Sequence, residues 1–415
     1  MNGRVASLVT ALLCVLSLAG GARGAEPPAA RPEVGRAVQA AQALLKQHRA
    51  AEALTKLREA DAVHDKSPYE TYVVAETRAA AEIDTGNFAA AATSLRTALA
   101  TGILAGEERL ARLQTLVQLD YQAKAYGDAL ADGRQYYKDG GRDPMPRTLM
   151  AQAAYTAGDW TAAASLMREI VDTPAARPPD ENLLLALADA DDKLHDAAGR
   201  RAALERLVDL YPQPRYWLML LGAVRAMPDF PRRLVLDLDR LAAATGAMTD
   251  ARQYTEAAER ALDAGFPGDA VTFLQQGYER GVLGTGPESD RQRRLLDTAK
   301  RQSTADSGTL DRQAREADAA ANGLAAQKLG EAYASYGRYT PAIAELEVAL
   351  KKGGLESGQD ARLHLVMAYA RAGQTARAEA ALDGLPAGDP ARELGRLWLI
   401  EARRTTSQSA DGRSK

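Results

Sequence analysis

Cysteine is almost missing from this sequence: one residue, Cys14, in 415. With only four histidines beside it, the ligand supply for a transition-metal site is poor. Neither sign of charge dominates, with 52 Lys and Arg against 55 Asp and Glu, so no basic field exists to attract nucleic acid. The 34 Gly and 18 Pro are too few for a collagen-like or Pro/Gly-driven disordered chain, and 46% hydrophobic residues are too many for disorder. Beyond the N-terminus no apolar run is long enough to cross a membrane. The sequence also lacks HExxH, GxSxG, Walker A and CxxC patterns. What remains is a chain whose length implies two or three compact domains or a repeat array.

Residues 1–24 read as a secretory signal. Arg4 supplies the positive start, Val5 to Ala19 form an apolar run interrupted only by Ser, Thr and Cys14, and Ala22 and Gly24 place small residues before a cleavage point at Ala25. Retention of this segment as an anchor is the alternative. A lipoprotein signal wants a small residue before the cysteine, and Leu13 stands before Cys14. Cleavage removes the only thiol, so the mature chain enters an oxidising compartment held together by packing alone. The Ala- and Arg-rich usage points to a bacterium and hence to the periplasm.

A period near 36 residues runs through the rest. Leu329-Gly330, Tyr333, Gly337, Tyr339, Ala342 and Leu346 are echoed by Leu365, Tyr369, Gly373, Thr375, Ala378 and Leu382, with the tyrosines, glycines, alanines and the Leu346/Leu382 pair all 36 apart. The spacing predicts pairs of antiparallel helices. The glycine serves the turn, the alanine lets the helices approach, and the leucine enters the core shared with the next pair. The same alanine position recurs at Ala53, Ala91, Ala129, Ala163 and Ala270, with degenerate units expected around Arg200, Leu234 and Asp306. From Ala53 to Ala378 this makes about ten pairs. Gly102, Gly281 and Gly353, each with an apolar residue close behind, read as stops of second helices. Phe88, Tyr126, Trp160 and Tyr339 recur at one turn position.

The Leu-Gly-x-x-Tyr, Gly-x-Tyr-x-x-Ala pattern resembles the tetratricopeptide repeat (TPR), which implies an all-α, right-handed superhelical solenoid whose helices present a concave binding face. Arg31 to Gly35, Tyr216-Trp217, Gly281 to Gly286 and Asp360 to His364 together resemble a group of exported TPR proteins of proteobacteria. That resemblance implies an envelope setting, with some members near TonB/ExbB/ExbD-type components, and implies no activity.

The organisation expected is 1–24 signal, 25–210 N-terminal repeats, 211–321 irregular repeats, 322–403 C-terminal repeats with a capping helix, and 404–415 a disordered tail. Tyr211 to Thr245, with four prolines and a Leu-rich run, predicts a distorted pair. The charged stretch Ser289 to Ala321 predicts either an exposed helix pair or a partly mobile insertion. Leu394, Leu397, Trp398 and Ile400 form one apolar stripe on the capping helix.

Chemistry is sparse. Asp189, Asp191, Asp192, His195 and Asp196 make the densest ligand cluster, but Leu194 and Arg200 stand where a calcium loop needs Gly and an acid, so it reads as a solvated helix end. Gly281, Gly284 and Gly286 lack the preceding strand and following Lys of a phosphate cradle. His48 and His195 fall at turns, and His364 reads as a packed or solvated residue of a first helix. No catalytic residue, metal or cofactor is expected. Counting back from Ala129 and Ala163 puts Gln114, Gln118, Tyr121 and Gln122, then Thr148, Gln152, Tyr155 and Thr156, on the concave face. Tyr121 and Tyr155 then occupy equivalent places, and this face suits an extended peptide or sugar hydroxyls. The function expected is a non-catalytic periplasmic scaffold for a protein or peptide partner in the cell envelope. The alternative is an accessory of polysaccharide or envelope export, or of a TonB/ExbB/ExbD-type system, that binds glycan or envelope proteins.

Overall fold

The computed structural model describes residues 29–174, 177–228 and 230–411, with side chains described as far as 404. The expected signal 1–24, with Cys14, lies outside the described residues. Two compact units divide the chain, 1–195 and 196–415. The first holds α1 (Pro32–Lys46), α2 (Ala50–Asp61), α3 (Pro68–Asp84), α4 (Phe88–Ala100), α5 (Gly106–Gln122), α6 (Tyr126–Lys138), α7 (Pro144–Ala157), α8 (Trp160–Asp172) and α9 (Glu181–Lys193). The second holds α10 (Ala197–Leu210), α11 (Pro214–Arg225), α12 (Val235–Thr245), α13 (Ala251–Asp263), α14 (Pro267–Glu279), α15 (Ser289–Ser307), α16 (Leu310–Ala319), α17 (Leu324–Ser335), α18 (Tyr339–Lys352), α19 (Gly358–Arg371), α20 (Thr375–Asp383) and α21 (Pro390–Asp411). The described residues contain no strand. The fold is an all-α helical solenoid.

The repeat is written into the helix ends. Capping boxes start α3 (Ser67 with Glu70) and α13 (Asp250 with Gln253), each satisfying two backbone donors that a helix start leaves open. Asn87, Asp143, Asp159, Asp180 and Asp196 cap α4, α7, α8, α9 and α10. Between first and second helices one residue is left-handed. It is glycine at 86, 158, 265, 337 and 373, as the period predicts, but His48, Lys124 and His195 take the same place with φ of 56–61°. At seven of these turns the next residue donates its N–H to the carbonyl five positions earlier at 2.8–3.0 Å (Arg49 to Leu44, Ala125 to Asp120, Gln374 to Tyr369 and so on), which closes the helix end. Five residues after the left-handed position comes the small residue. Ala53, Ala91, Ala129, Ala163, Ala270, Ala342 and Ala378 all have 0% exposure. At these crossings a larger side chain would push the two helices apart.

Lys124 carries a Cβ in a conformation that costs an L-residue free energy. Lys124→Gly is expected to raise stability by about 0.5–1 kcal/mol, read as a higher urea midpoint. An unchanged or lower midpoint would show that the unfolded chain's extra freedom cancels the relief.

The left-handed turn fails in two places. After α11 the chain passes through a 3-10 turn at Arg232–Leu234 before α12, so Leu234 lies in the connector and not in a second helix. Gly308 and Thr309 are right-handed, so α15 does not reverse into α16. Asp306 accordingly sits at the end of α15, and 289–321 is a helical insertion in place of a reversing pair. The regular packing resumes behind it: α14 touches α17 directly, so closely that a Cβ on Gly268 would lie 2.7 Å from the Ser335 carbonyl.

The first unit is tied across repeats by buried charge. Arg112 on α5 donates from Nε to Glu76 on α3 at 2.8 Å, with both side chains 4% exposed. Arg96 on α4 bonds Asp120 on α5 and Asp132 on α6 at 2.7 and 2.8 Å. Burial, then the hydrogen bond to Asp132, pushes the Asp120 carboxyl up to about 7.

The second unit closes on itself. α21 packs against α19 and α20 and also against α10 and α12 at the unit's beginning. Its stripe residues Leu394, Leu397 and Trp398 are buried, and the helix continues past the stripe to Asp411. α10 belongs to this enclosure, which is why the division between the compact units falls at 195/196. Arg396 on α21 bonds Glu205 on α10 at 2.6 Å, and Arg233 bonds Asp360 on α19 at 2.6 Å. Inside, His364 on α19 bridges Glu331 on α17 at 2.7 Å and Asp237 on α12 at 3.2 Å. Arg240 in turn bonds Asp237 and Asp269, both at 2.7 Å. Burial alone would lower the His364 pKa, but the charges of Asp237 and Glu331 outweigh it and raise it to about 10.

Candidate functional site

In the first unit a groove of about 650 Å³ runs along α7, α8 and α9 and reaches Tyr121 on α5. Helical geometry explains why these residues share it. Thr148, Gln152, Tyr155 and Thr156 lie four, three and one residues apart, which keeps them on one face of α7. Stacking of successive repeats then brings Tyr121, one period earlier, to the same wall. Met167 and Ile170 on α8, Pro178 and Pro179 in the connector, and Leu183 and Ala186 on α9 make the remainder largely apolar.

The two tyrosines are fixed differently. Each is backed by the aromatic residue that opens the following helix: Tyr121 by Tyr126, with ring centroids 6.0 Å apart, and Tyr155 by Trp160, edge-on at 5.3 Å. The Tyr155 hydroxyl donates to Asp189 on α9 at 2.7 Å, and this bond keeps the phenol protonated, raising its pKa. Tyr121, Tyr155 and Asp189 are each 34 residues apart and form one ladder across α5, α7 and α9. The role of Asp189 was legible in that spacing, because the period that relates the tyrosines lands on it next.

Of the eight sequence-predicted face residues, Tyr121, Thr148, Gln152, Tyr155 and Thr156 line the groove, and Gln114, Gln118 and Gln122 do not. The Gln118 amide is drawn to the Met145 sulfur at 3.5 Å, where the start of α7 overlies it. Gln122 is the last residue of α5, one helical step round from Tyr121, and is exposed. Gln114 is half-buried farther up α5. The Thr148 and Thr156 hydroxyls donate to carbonyls of their own helix, at 3.3 and 2.7 Å, and keep their lone pairs available.

The apolar wall from α8 and the connector was missed by counting only first-helix positions. Arg177 and Asp180 at the connector add a charge of each sign to the rim. Asp180 is occupied, accepting from the Asn182 N–H at 2.9 Å.

The acidic stretch at the end of α9 is not a uniformly solvated helix end. Asp191 is fully buried and paired with Arg168 on α8, and Asp189 holds Tyr155, while Asp192 and His195 are exposed. Each partner, the Arg168 cation for Asp191 and the Tyr155 phenol for Asp189, offsets part of what its carboxylate loses on leaving water. Among the described residues no cluster of three or more His, Cys, Asp or Glu is arranged to hold a metal ion. No helix among them is long and apolar enough to cross a membrane.

No family model matches the chain, and no curated protein matches it. Among solved structures it is similar to the C-terminal part of a TPR repeat-containing protein from Cytophaga hutchinsonii, at 15% identity over 61% of this chain and 98% of that one, with a TM-score of 0.32. It is also similar to a chain of the Naa15/Naa10 complex bound to HypK-THB, at 15% identity over 94% of this chain and 63% of that one, with a TM-score of 0.29. At that distance neither likeness says anything of a shared ligand or partner.

Proposed function

We propose that this chain is a non-catalytic scaffold that binds a protein or peptide partner in extended form through the groove of its first unit. The observation that carries the reading is the groove itself: equivalent side chains from successive repeats meet in one depression, beside an apolar wall, on rigid helices. An extended peptide offers apolar side chains at alternate positions, which suit Met167, Ile170 and Leu183, and backbone groups between them, which suit the exposed Gln152 amide and the threonine hydroxyls. The reading of 1–24 as a signal supports work in the periplasm, with the partner in the cell envelope. A second reading, an accessory of polysaccharide export or of a TonB/ExbB/ExbD-type system that binds glycan, draws on the same exposed amide and hydroxyls. It is disfavoured by the apolar wall and by the commitment of the Tyr155 hydroxyl to Asp189.

Crosslinking in cells followed by capture from the envelope fraction tests the proposal. The Tyr121→Ala, Tyr155→Ala double variant is expected to lose at least about tenfold in partner capture while its far-UV circular dichroism is unchanged. Full retention of the partner would overturn the groove. A shift in melting temperature with polysaccharide alone, and no captured protein, would favour the glycan reading instead.

A further inference from the structure

The groove of the first unit does not suit every extended peptide equally. Its walls are helices, whose backbone groups are spent within the helix, so a strand-like peptide finds no sheet edge to pair its N–H groups. Proline has no N–H, and a polyproline helix leaves its carbonyls open as acceptors. The exposed Gln152 amide is a donor for one of them. The aromatic rungs have the matching pitch. α5 and α7 pack directly on one another, which sets equivalent side chains about 8–10 Å apart. A polyproline helix repeats every three residues, or about 9 Å. Tyr121 and Tyr155 are equivalent, half-buried, and held from behind by Tyr126 and Trp160, so two prolines three residues apart meet one ring each. Charge adds a third element. Arg177, exposed in the connector that leads into α9, is the one cation lining the groove among the described residues, and no ion pair engages it there. Asp180 holds the Asn182 N–H and lies in the positive field of the start of α9, which leaves Arg177 open to a carboxylate from outside.

We propose that the groove takes a proline-rich segment of its partner in the polyproline form, Pro-x-x-Pro flanked by an acidic residue. The two prolines lie on Tyr121 and Tyr155, the acid pairs with Arg177, and apolar residues between the prolines pack on Ile170 and Leu183. The hydrogens beside a proline nitrogen are electron-poor and the face of an aromatic ring carries negative potential, so ring meets ring favourably. The commitment of the Tyr155 hydroxyl to Asp189 is no obstacle, because the ring and not the hydroxyl is used. A polyproline segment is also stiff before it binds, which lowers the entropy lost on docking. The inference rests on the groove reading and narrows it to one peptide conformation and one composition.

Isothermal titration of the full chain with the end-blocked peptide Glu-Pro-Pro-Leu-Pro-Pro-Leu-Pro-Pro-Glu tests it, the acid at each end letting the peptide lie in either direction. Saturable binding is expected with Kd below about 100 μM. Alanine in place of the prolines, or Tyr121→Ala in the protein, is expected to weaken it at least about tenfold. Glutamine in place of the glutamates, or Arg177→Gln, is expected to weaken it at least about threefold. Tyr121→Phe keeps the ring and is expected to bind within about twofold of the wild type, which separates loss of the ring from a damaged fold. Equal affinity for the proline and alanine peptides would overturn the polyproline form, and indifference to both the glutamates and Arg177 would overturn the charge pairing. No saturable heat up to about 1 mM peptide would overturn the proposal as a whole. Capture from the envelope then shows whether the groove falls with it: capture still lost in the Tyr121→Ala, Tyr155→Ala double variant keeps the groove and removes only the proline-rich ligand.

Discussion

Replacing His364 with leucine is expected to destabilise the second unit by about 3–5 kcal/mol at pH 6, and by far less at pH 10. The cost arises because Asp237 and Glu331 are buried beside the histidine, and its removal leaves their charge with fewer partners. The pH dependence follows from the direction of the shift. The folded protein holds the His364 proton up to about pH 10, whereas an unfolded histidine releases it near 6.5. Across that window the folded state carries the extra proton, so stability falls as pH rises, by up to about 1.4 kcal/mol per pH unit. Below pH 6.5 both states are protonated and the contribution is complete. His364→Leu should flatten this alkaline slope. Urea midpoints of the two proteins at pH 6, 8 and 10 measure it. Parallel curves would show that the slope comes from another group. On the acid side the sign reverses. His364 lowers the pKa of Asp237 and Glu331 against the effect of burial, so their contribution is present above the unfolded carboxylate range and is lost as pH falls through their folded values.

In the first unit the comparable experiment is Arg112→Met, with an expected loss of about 3–5 kcal/mol at neutral pH. Glu76 would then be a buried carboxylate without its cation, and burial already pushes its pKa up with Arg112 in place. The deficit should shrink as pH falls toward 4, because a protonated Glu76 tolerates burial. The Arg112 Nη2 is buried without a partner, so the native pair is itself imperfectly satisfied. Replacing both residues, Glu76→Leu with Arg112→Met, is therefore expected to recover most of the loss. A double variant as unstable as the single one would show that the pair contributes net stability and is more than a repaired desolvation. Urea unfolding followed by circular dichroism distinguishes the two.

These groups also mark where reading the sequence stops. Periodicity located the second helices well, because the requirement for a small residue at the helix crossing is local and repeated. All seven of the alanines Ala53, Ala91, Ala129, Ala163, Ala270, Ala342 and Ala378 fall on the fourth residue of a second helix. It failed at Leu234 and Asp306, where the turn residue that anchors the count is missing. His48, Lys124 and His195 show the opposite case, a glycine site filled by residues that tolerate the left-handed turn at some cost.

For the groove, helix-face counting found the residues of α7 and Tyr121. It could not tell that Gln118 is drawn to a methionine or that the connector after α8 builds a wall, since both depend on packing between repeats. His364 was legible as a residue of a first helix. Its two carboxylates lie 33 and 127 residues away, and the pairing with Asp237 exists only because the second unit is closed.

That closure has a consequence for how such a chain can change length. In an open array each repeat touches only its neighbours, so a repeat can be gained or lost with the cost of one interface. The described helices of the first unit keep that freedom, each packing on helices near it in the chain. The second unit does not. Its seam joins Glu205 to Arg396, residues 191 apart, and a pair of helices inserted anywhere between would carry α21 past its seat on α10. Its repeat number is fixed by geometry, and variation in length among related chains should therefore accumulate before residue 196.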